Sequence, residues 1–317
     1  MIAVLMVFAT VGHSIKAQEF PARPVKIIVQ APAGSSLDVI ARILADNFAN
    51  LWGQQVIVLN QPGGAGTIAA RAAAIAPPDG YTLFMPATSI FVSMPELYRD
   101  LSFDVSRDLV PVGFVGEQPM AIAVNASLGV NSVSELIDFS KKQGQGVNWA
   151  AVGGVGSLPH LSGELLRIRS GANLTSIPYP GTPQAVSDLI GGRVQMIIES
   201  LPSLQGLVTG GQLKVLAFAS DKRLSEFPAV PTVAETLPGF LAMGWFALVA
   251  PTRTDPMVLS KLGRDLGTII VRPELNRKFA DVGTYTRPMS AVDTSEFIRS
   301  QQQVWKPVLQ QLDLKSQ

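Results

Sequence analysis

The sequence predicts an α/β fold, with mostly parallel sheets and helices on both faces. Three observations carry this. Short buried-type apolar runs alternate with segments of helical periodicity along nearly the whole chain. Each strand-like run is followed by a loop of Gly, Ala, Ser, Thr and Pro that opens the next helix. The 317 residues give room for two lobes of ordinary size, each with its own core.

The elements follow in order from Pro24. Val25–Gln30 reads as a buried strand, Pro32-Ala33-Gly34-Ser35-Ser36 as its loop with a serine N-cap. Leu37, Ile40, Ile43, Leu44, Phe48 and Leu51 recur at helical spacing, and Gly53 ends that helix. Val56–Leu59 is the next strand, followed by Gln61-Pro62-Gly63-Gly64-Ala65-Gly66-Thr67 and an alanine-rich helix through Ala76. Pro77-Pro78-Asp79-Gly80 is a turn before a third strand, Tyr81–Met85.

A second set begins near Met120–Val124. Ser132-Val133-Ser134-Glu135 has the form of a capping box, opening a helix that ends near Lys141-Lys142. Val147–Ala151 leads into Gly153-Gly154-Val155-Gly156-Ser157 and a helix from about His160 to Arg169. Strands at Thr175–Tyr179, Val194–Ile198, Leu213–Ser220 and Trp245–Ala250 follow. A helix runs to Ile190 between the first two, and helices over Val258–Ile270 and Ser295–Leu312 close the chain.

Ligands of open α/β sheets sit outside the carboxyl ends of the strands. Helix starts there present unpaired N–H groups and the positive end of the helix dipole. Five such loops recur here without a Lys or Arg, so an anion held there is gripped by N–H and hydroxyl groups rather than by ion pairs. Small residues also suit tight βα turns for steric reasons alone.

Composition narrows the function. Lys+Arg is 25 and Asp+Glu is 24, so no field gathers nucleic acid. Charged residues are only 15% against 47% apolar. The absence of cysteine removes disulfides, thiolate nucleophiles and thiolate metal ligands. Met1–Val11 is an apolar run of signal-peptide length, and cleavage after Ala17 suits export, although no Lys or Arg precedes the run. It is too short for a membrane-spanning helix.

Other constellations fit poorly. Gly64-Ala65-Gly66-Thr67-Ile68-Ala69 matches a dinucleotide pattern, but the acid expected at the end of the next strand is missing, Asp79 lying in the turn before it. No P-loop lysine follows either glycine cluster. His160, the one histidine beyond the leader, stands three residues after Ser157 without an orienting acid, so it reads as a ligand donor or helix-start group. No metal or other cofactor is expected. Trp245 reads as core, with a place beside the ligand as the alternative.

The same loops carry a family resemblance. Pro21-Ala22-Arg23-Pro24-Val25, Ala33-Gly34-Ser35-Ser36-Leu37-Asp38, Asn60-Gln61-Pro62-Gly63-Gly64-Ala65-Gly66 and Pro78-Asp79-Gly80-Tyr81-Thr82-Leu83 fall in order. Ser157-Leu158-Pro159-His160-Leu161-Ser162-Gly163-Glu164-Leu165, Ile177-Pro178-Tyr179-Pro180-Gly181 and Pro228-Ala229-Val230-Pro231-Thr232-Val233-Ala234-Glu235 continue the series. Together they resemble the extracytoplasmic solute receptors of tripartite tricarboxylate transporters, the Bug family.

The resemblance implies a two-lobe, type II periplasmic-binding-protein-like fold with a ligand cleft between the lobes. It implies residues 18–121 plus 239–317 as lobe 1 and 122–238 as lobe 2, after a signal peptide over 1–17, with crossings near 122 and 238. One side of the cleft is then Ala33, Gly34, Ser35, Ser36, Gly64, Ala65, Thr88 and Ser89. The other is Gly154, Ser157, His160, Tyr179, Gly181, Thr182 and Glu199.

The implied function is periplasmic capture of a small carboxylate, a di- or tricarboxylate, amino acid or aromatic or nicotinic carboxylate. A monomer would deliver it to a membrane permease or sensor domain, with no catalysis. The alternative from another class is a secreted α/β enzyme acting on a carboxylated substrate, against which stands the lack of a base–nucleophile pair.

Three departures from the family pattern bear on the ligand. Ala33 stands where glycine is usual and narrows the approach to the backbone. Pro180 replaces a lysine after Tyr179. Glu199 replaces Asp or Asn and, if unpaired in the cleft, repels a second ligand carboxylate, which favours an amine, hydroxyl or amide at the distal end. Glu199 turned away to cap a helix or pair with an arginine is the competing expectation.

Overall fold

The computed structural model describes residues 20–98, 101–142, 144 and 146–312, so the leader expected over Met1–Ala17 lies outside the described residues. Nine strands form one continuous β-structure: β1 (Val25–Val29), β2 (Val56–Asn60), β3 (Thr82–Phe84), β4 (Leu109–Asn125), β5 (Val147–Val152), β6 (Leu174–Tyr179), β7 (Met196–Ser200), β8 (Leu213–Phe218) and β9 (Met243–Pro251). The helices in chain order are α1 (Ser36–Trp52), α2 (Thr67–Ala74), α3 (Ser89–Val92), α4 (Met94–Leu97), α5 (Val105–Asp108) and α6 (Val133–Lys142). They continue with α7 (Leu158–Ser170), α8 (Thr182–Ile190), α9 (Gln205–Thr209), α10 (Pro256–Ile270), α11 (Pro273–Ala280) and α12 (Ala291–Gln311).

The first sheet runs β2-β1-β3-β9-β4 and the second β4-β7-β5-β6, with β8 also on β4. The 17-residue β4 belongs to both. Leu109 to Pro119 pair with β9, and from Met120 onward the partners are β7 and β8. The expectation of mostly parallel sheets is corrected: β1–β2, β1–β3, β5–β6 and β5–β7 are parallel, whereas β4 runs antiparallel to β7, β8 and β9, and β9 to β3. Each lobe keeps its parallel βα units. The two neighbouring strands that carry the chain out of the first sheet and back into it necessarily run in opposite directions.

The first half of β4 and helix α11 were not anticipated from the sequence. Pro111, Gly113, Gly116 and Pro119 interrupt the apolar pattern there, and the register shifts at Pro111/Gly113 and Phe114/Gly116. The helix boundaries that were anticipated rest on their caps. Ser35 Oγ accepts from Asp38 N–H at the start of α1, and Gly53 closes it in the left-handed region (φ 63°). At α6 only half of the expected capping box forms. Ser132 Oγ accepts from Glu135 N–H, but the Glu135 carboxylate accepts from Asn131 N–H.

Both faces of the first sheet are covered, which is why β1 reads as an unbroken apolar run. Ile27 and Val29 pack with Leu44, Phe48, Leu262 and Phe279 from α1, α10 and α11, while Ile28 faces the opposite side. That second core spans both lobes. Phe114, Trp245 and Trp305 share it with Trp149, Leu161 and Leu165, and α12 packs on both β4 and α7. Trp245 is fully buried between Phe91 and Phe297, as core.

Candidate functional site

The first wall of the cleft is built where β1, β2 and β3 end. The buried Asp38 carboxylate fixes the loop after β1. Gly34 N–H donates to Oδ2 at 2.8 Å, Asn60 Nδ2 to Oδ1 at 2.8 Å, and Arg42 Nε to Oδ2 at 3.0 Å. Burial works to raise the Asp38 pKa, but the hydrogen bonds from Arg42, Gly34 and Asn60 outweigh it and hold the group below its ordinary value. The Gly34 amide, expected as a ligand donor, is therefore spent on the loop itself. Ser36 Oγ accepts from Gln118 Nε2 at 2.9 Å, and the same amide group donates to Val282 O at 3.0 Å, tying the start of α1 to β4 and to the turn after α11. Ala33 is exposed at the loop's tip.

After β2, Gly64–Gly66 form a tight turn with Ala65 at φ 50°, the one non-glycine in the left-handed region among the described residues. After β3, Thr88 is consumed by the scaffold. Its Oγ1 accepts from Trp245 N–H at 2.8 Å and donates to Trp245 O at 3.3 Å, leaving Ser89 to face the cleft.

The opposite wall rises from β5, β6 and β7. Ser157 caps α7: its Oγ accepts from His160 N–H at 3.3 Å and donates to Val152 O at 2.6 Å. His160 is buried, its Nδ1 accepting from Gly156 N–H at 3.3 Å and its ring stacked on Trp149. Burial keeps its pKa low against the opposing pull of Glu164, so the neutral ring that can accept this bond is favoured. His160 thus shapes the Gly153–Ser157 loop from behind.

Tyr179 likewise points away from the cleft. Its hydroxyl donates to Asp188 at 2.7 Å, and burial with that carboxylate pushes its pKa up to about 12. Gly181 precedes Thr182 at the start of α8, and Thr182 Oγ1 donates to Glu199 Oε2 at 3.3 Å. Glu199 Oε1 accepts from Ser200 N–H at 2.7 Å and from Ser200 Oγ at 3.2 Å. Burial raises the Glu199 pKa despite these bonds, and no arginine or lysine pairs with it among the described residues.

Between the walls lies a cleft of about 430 Å³, in the size range of small-molecule sites. Of the residues expected from the sequence, Ala65, Ser89 and Ser157 line it, with Gly63, Gly66, Gly153 and Gly156 from the same loops. Ala33, Gly34, Ser35, Ser36, Gly64, Thr88, Gly154, His160, Tyr179, Gly181, Thr182 and Glu199 stand beside or behind that lining.

Sequence reasoning missed Gln30, Ser93, Met94, Leu97 and Tyr98, while Val155 falls within the glycine-rich loop expected at the cleft. Gln30, as the last residue of the first apolar run, was within reach of the rule that ligands meet strand carboxyl ends. Among the described residues no Lys, Arg, Asp, Glu or His lines the cleft. The walls touch at one edge, where a Cβ on Gly156 would overlap Leu97 Cδ1. A second crevice of about 330 Å³ lies between Pro202, Phe218 and Phe227 on one side and Gly283 and Tyr285 on the other. Among the described residues no cluster of His, Asp or Glu could hold a metal, and no helix is long and apolar enough to cross a membrane.

Comparison with known proteins bears on what this arrangement does. A family model described as tripartite tricarboxylate transporter family receptor matches residues 40–314. Protein BugT of Bordetella pertussis is 35% identical over 317 residues, covering 99% of this chain and 97% of its own. An R. palustris protein solved with adipate superposes with a TM-score of 0.83 at 29% identity, over 92% of this chain and 98% of its own. MatC from Rhodopseudomonas palustris, solved with bound malate, gives 0.78 at 26% identity, over 92% and 100%.

Proposed function

The chain belongs to the tripartite tricarboxylate transporter receptor family, a family of solute receptors rather than enzymes, and from that premise we propose how it captures its ligand. A small carboxylate enters between the lobes and is held by N–H and side-chain donor groups of the loops after β1, β2, β3 and β5, without a basic side chain among the described residues of the lining. The observation that carries this reading is the cleft itself: loops at strand carboxyl ends from both sheets face one another across about 430 Å³, with no cationic side chain among the described residues of the lining. The relatives solved with adipate and malate support a carboxylate as the ligand class.

Residues 18–121 plus 239–317 then move as one lobe and 122–238 as the other, after removal of 1–17 as a signal peptide. Contacts to both walls favour the closed state, and that state docks on a membrane permease or sensor domain as a monomer.

A thermal-shift panel of carboxylates, sugars and cationic amines tests the reading. A ligand that binds only the folded chain, at about 100 times its Kd, adds about 2.7 kcal/mol of stability. At least one carboxylate is therefore expected to raise the melting temperature by roughly 4 °C. A shift by sugars or amines with none from any carboxylate overturns it.

A further inference from the structure

We propose, resting on the receptor reading above, that the cleft selects a carboxylate with a single anionic end and an apolar body, in preference to a dicarboxylate of the same length. The donors decide this. Among the hydroxyl groups lining the cleft, Ser157 Oγ is committed to Val152 O and Ser93 Oγ to Ser89 O. Gln30 has its Oε1 engaged by Ala87 N–H, which leaves its Nε2 to donate, and Ser89 belongs to the same lining. Together with neighbouring backbone N–H groups they provide for one carboxylate.

The other contributions to the lining differ in kind. Met94 and Leu97 come from α4, Val155 from the loop after β5, and Pro180 from the loop after β6, with Tyr98 the one side chain among them that carries a polar group. Val155 is 49% exposed although it is a large aliphatic residue in a loop. Pro180 presents a ring and no N–H donor. A second carboxylate against these groups loses water without gaining a cation or enough donors among the described residues, whereas methylenes or an aromatic ring gain from the same contact. A neutral polar tail reaching Tyr98 is compatible with the site.

Titration calorimetry of the whole chain with matched pairs, hexanoate against adipate and benzoate against terephthalate, reads this directly. The monocarboxylate of each pair is expected to bind at least tenfold tighter. Along propionate, butyrate, pentanoate and hexanoate, affinity is expected to rise roughly threefold to fourfold per methylene. Val155→Lys, at an exposed loop position, supplies the missing cation and is expected to move the preference toward the dicarboxylate by about tenfold. Equal or tighter binding of adipate and terephthalate by the unaltered chain overturns the selectivity and leaves the receptor reading standing. Absence of binding by every carboxylate, mono- or dibasic, overturns both.

Discussion

Gly163→Val is expected to destabilise the folded chain by about 3 kcal/mol, the upper part of the range for overpacking a core. Gly163 sits in the second turn of α7, where glycine ordinarily costs about 1 kcal/mol relative to alanine. The cost is accepted because the helix backbone lies directly on the Trp149 indole: a Cβ at 163 would overlap Cη2 and Cζ2 and come within 2.7 Å of Cε2. Trp149 is fully buried and rigidly held, so the clash is with a ring face and not with a mobile side-chain end. Alanine at 163 is therefore expected to destabilise as well, against its better helix propensity. Denaturant unfolding measures both, and Trp149→Phe in the Gly163→Ala background is expected to recover part of the loss. An alanine variant more stable than the native chain would show that α7 does not rest on Trp149 in this way.

Gly156→Val is expected to weaken ligand binding by roughly fivefold to tenfold, from the lower end of the 1–3 kcal/mol cost of overpacking, since the atom it meets is the mobile end of a leucine. Two penalties fall on different states. The left-handed backbone at Gly156 (φ 82°) costs an L-residue about 1–2 kcal/mol, whether the cleft is open or closed, and so appears as lost stability. The overlap with Leu97 Cδ1 arises only when α4 meets the Gly153–Ser157 loop, and so appears as lost affinity. Leu97→Ala, which makes room, is expected to restore affinity to the double variant without restoring its stability. Affinity unchanged in Gly156→Val would mean that the two walls do not meet at this point in the bound state.

What the sequence made legible follows from locality. Helix α1 could be read whole because its stripe, its Ser35 cap and its Gly53 stop all lie within nineteen residues. The leading half of β4 could not, since its partners in β9 lie more than a hundred residues away and its prolines and glycines look like breaks. The mixed strand directions escaped for the same reason, being set by where the chain crosses between lobes and not by any local pattern. At the site, the loops were legible and the atoms were not. Gly34, Thr88, His160 and Tyr179 have the right chemistry for a ligand, but Asp38, Trp245, Gly156 and Asp188 already engage them. Met94 and Leu97 give no signal in sequence, because an aliphatic residue in a one-turn helix looks the same facing a ligand or facing the core.

Glu199 meets one part of the competing expectation for it. Among the described residues it has no basic partner, and its carboxylate lies off the cleft lining, engaged by Thr182 at the start of α8 and by Ser200 at the end of β7, where it braces the second wall.

The central claim is that one ligand is held by both walls at once. Amide hydrogen exchange with and without the carboxylate giving the largest thermal shift tests it most directly. Added protection is expected together in residues 31–37, 63–67 and 88–93 of the first wall and in 153–158 and 180–183 of the second. Protection confined to one wall, or centred instead on 218–227 and 280–285, would contradict it.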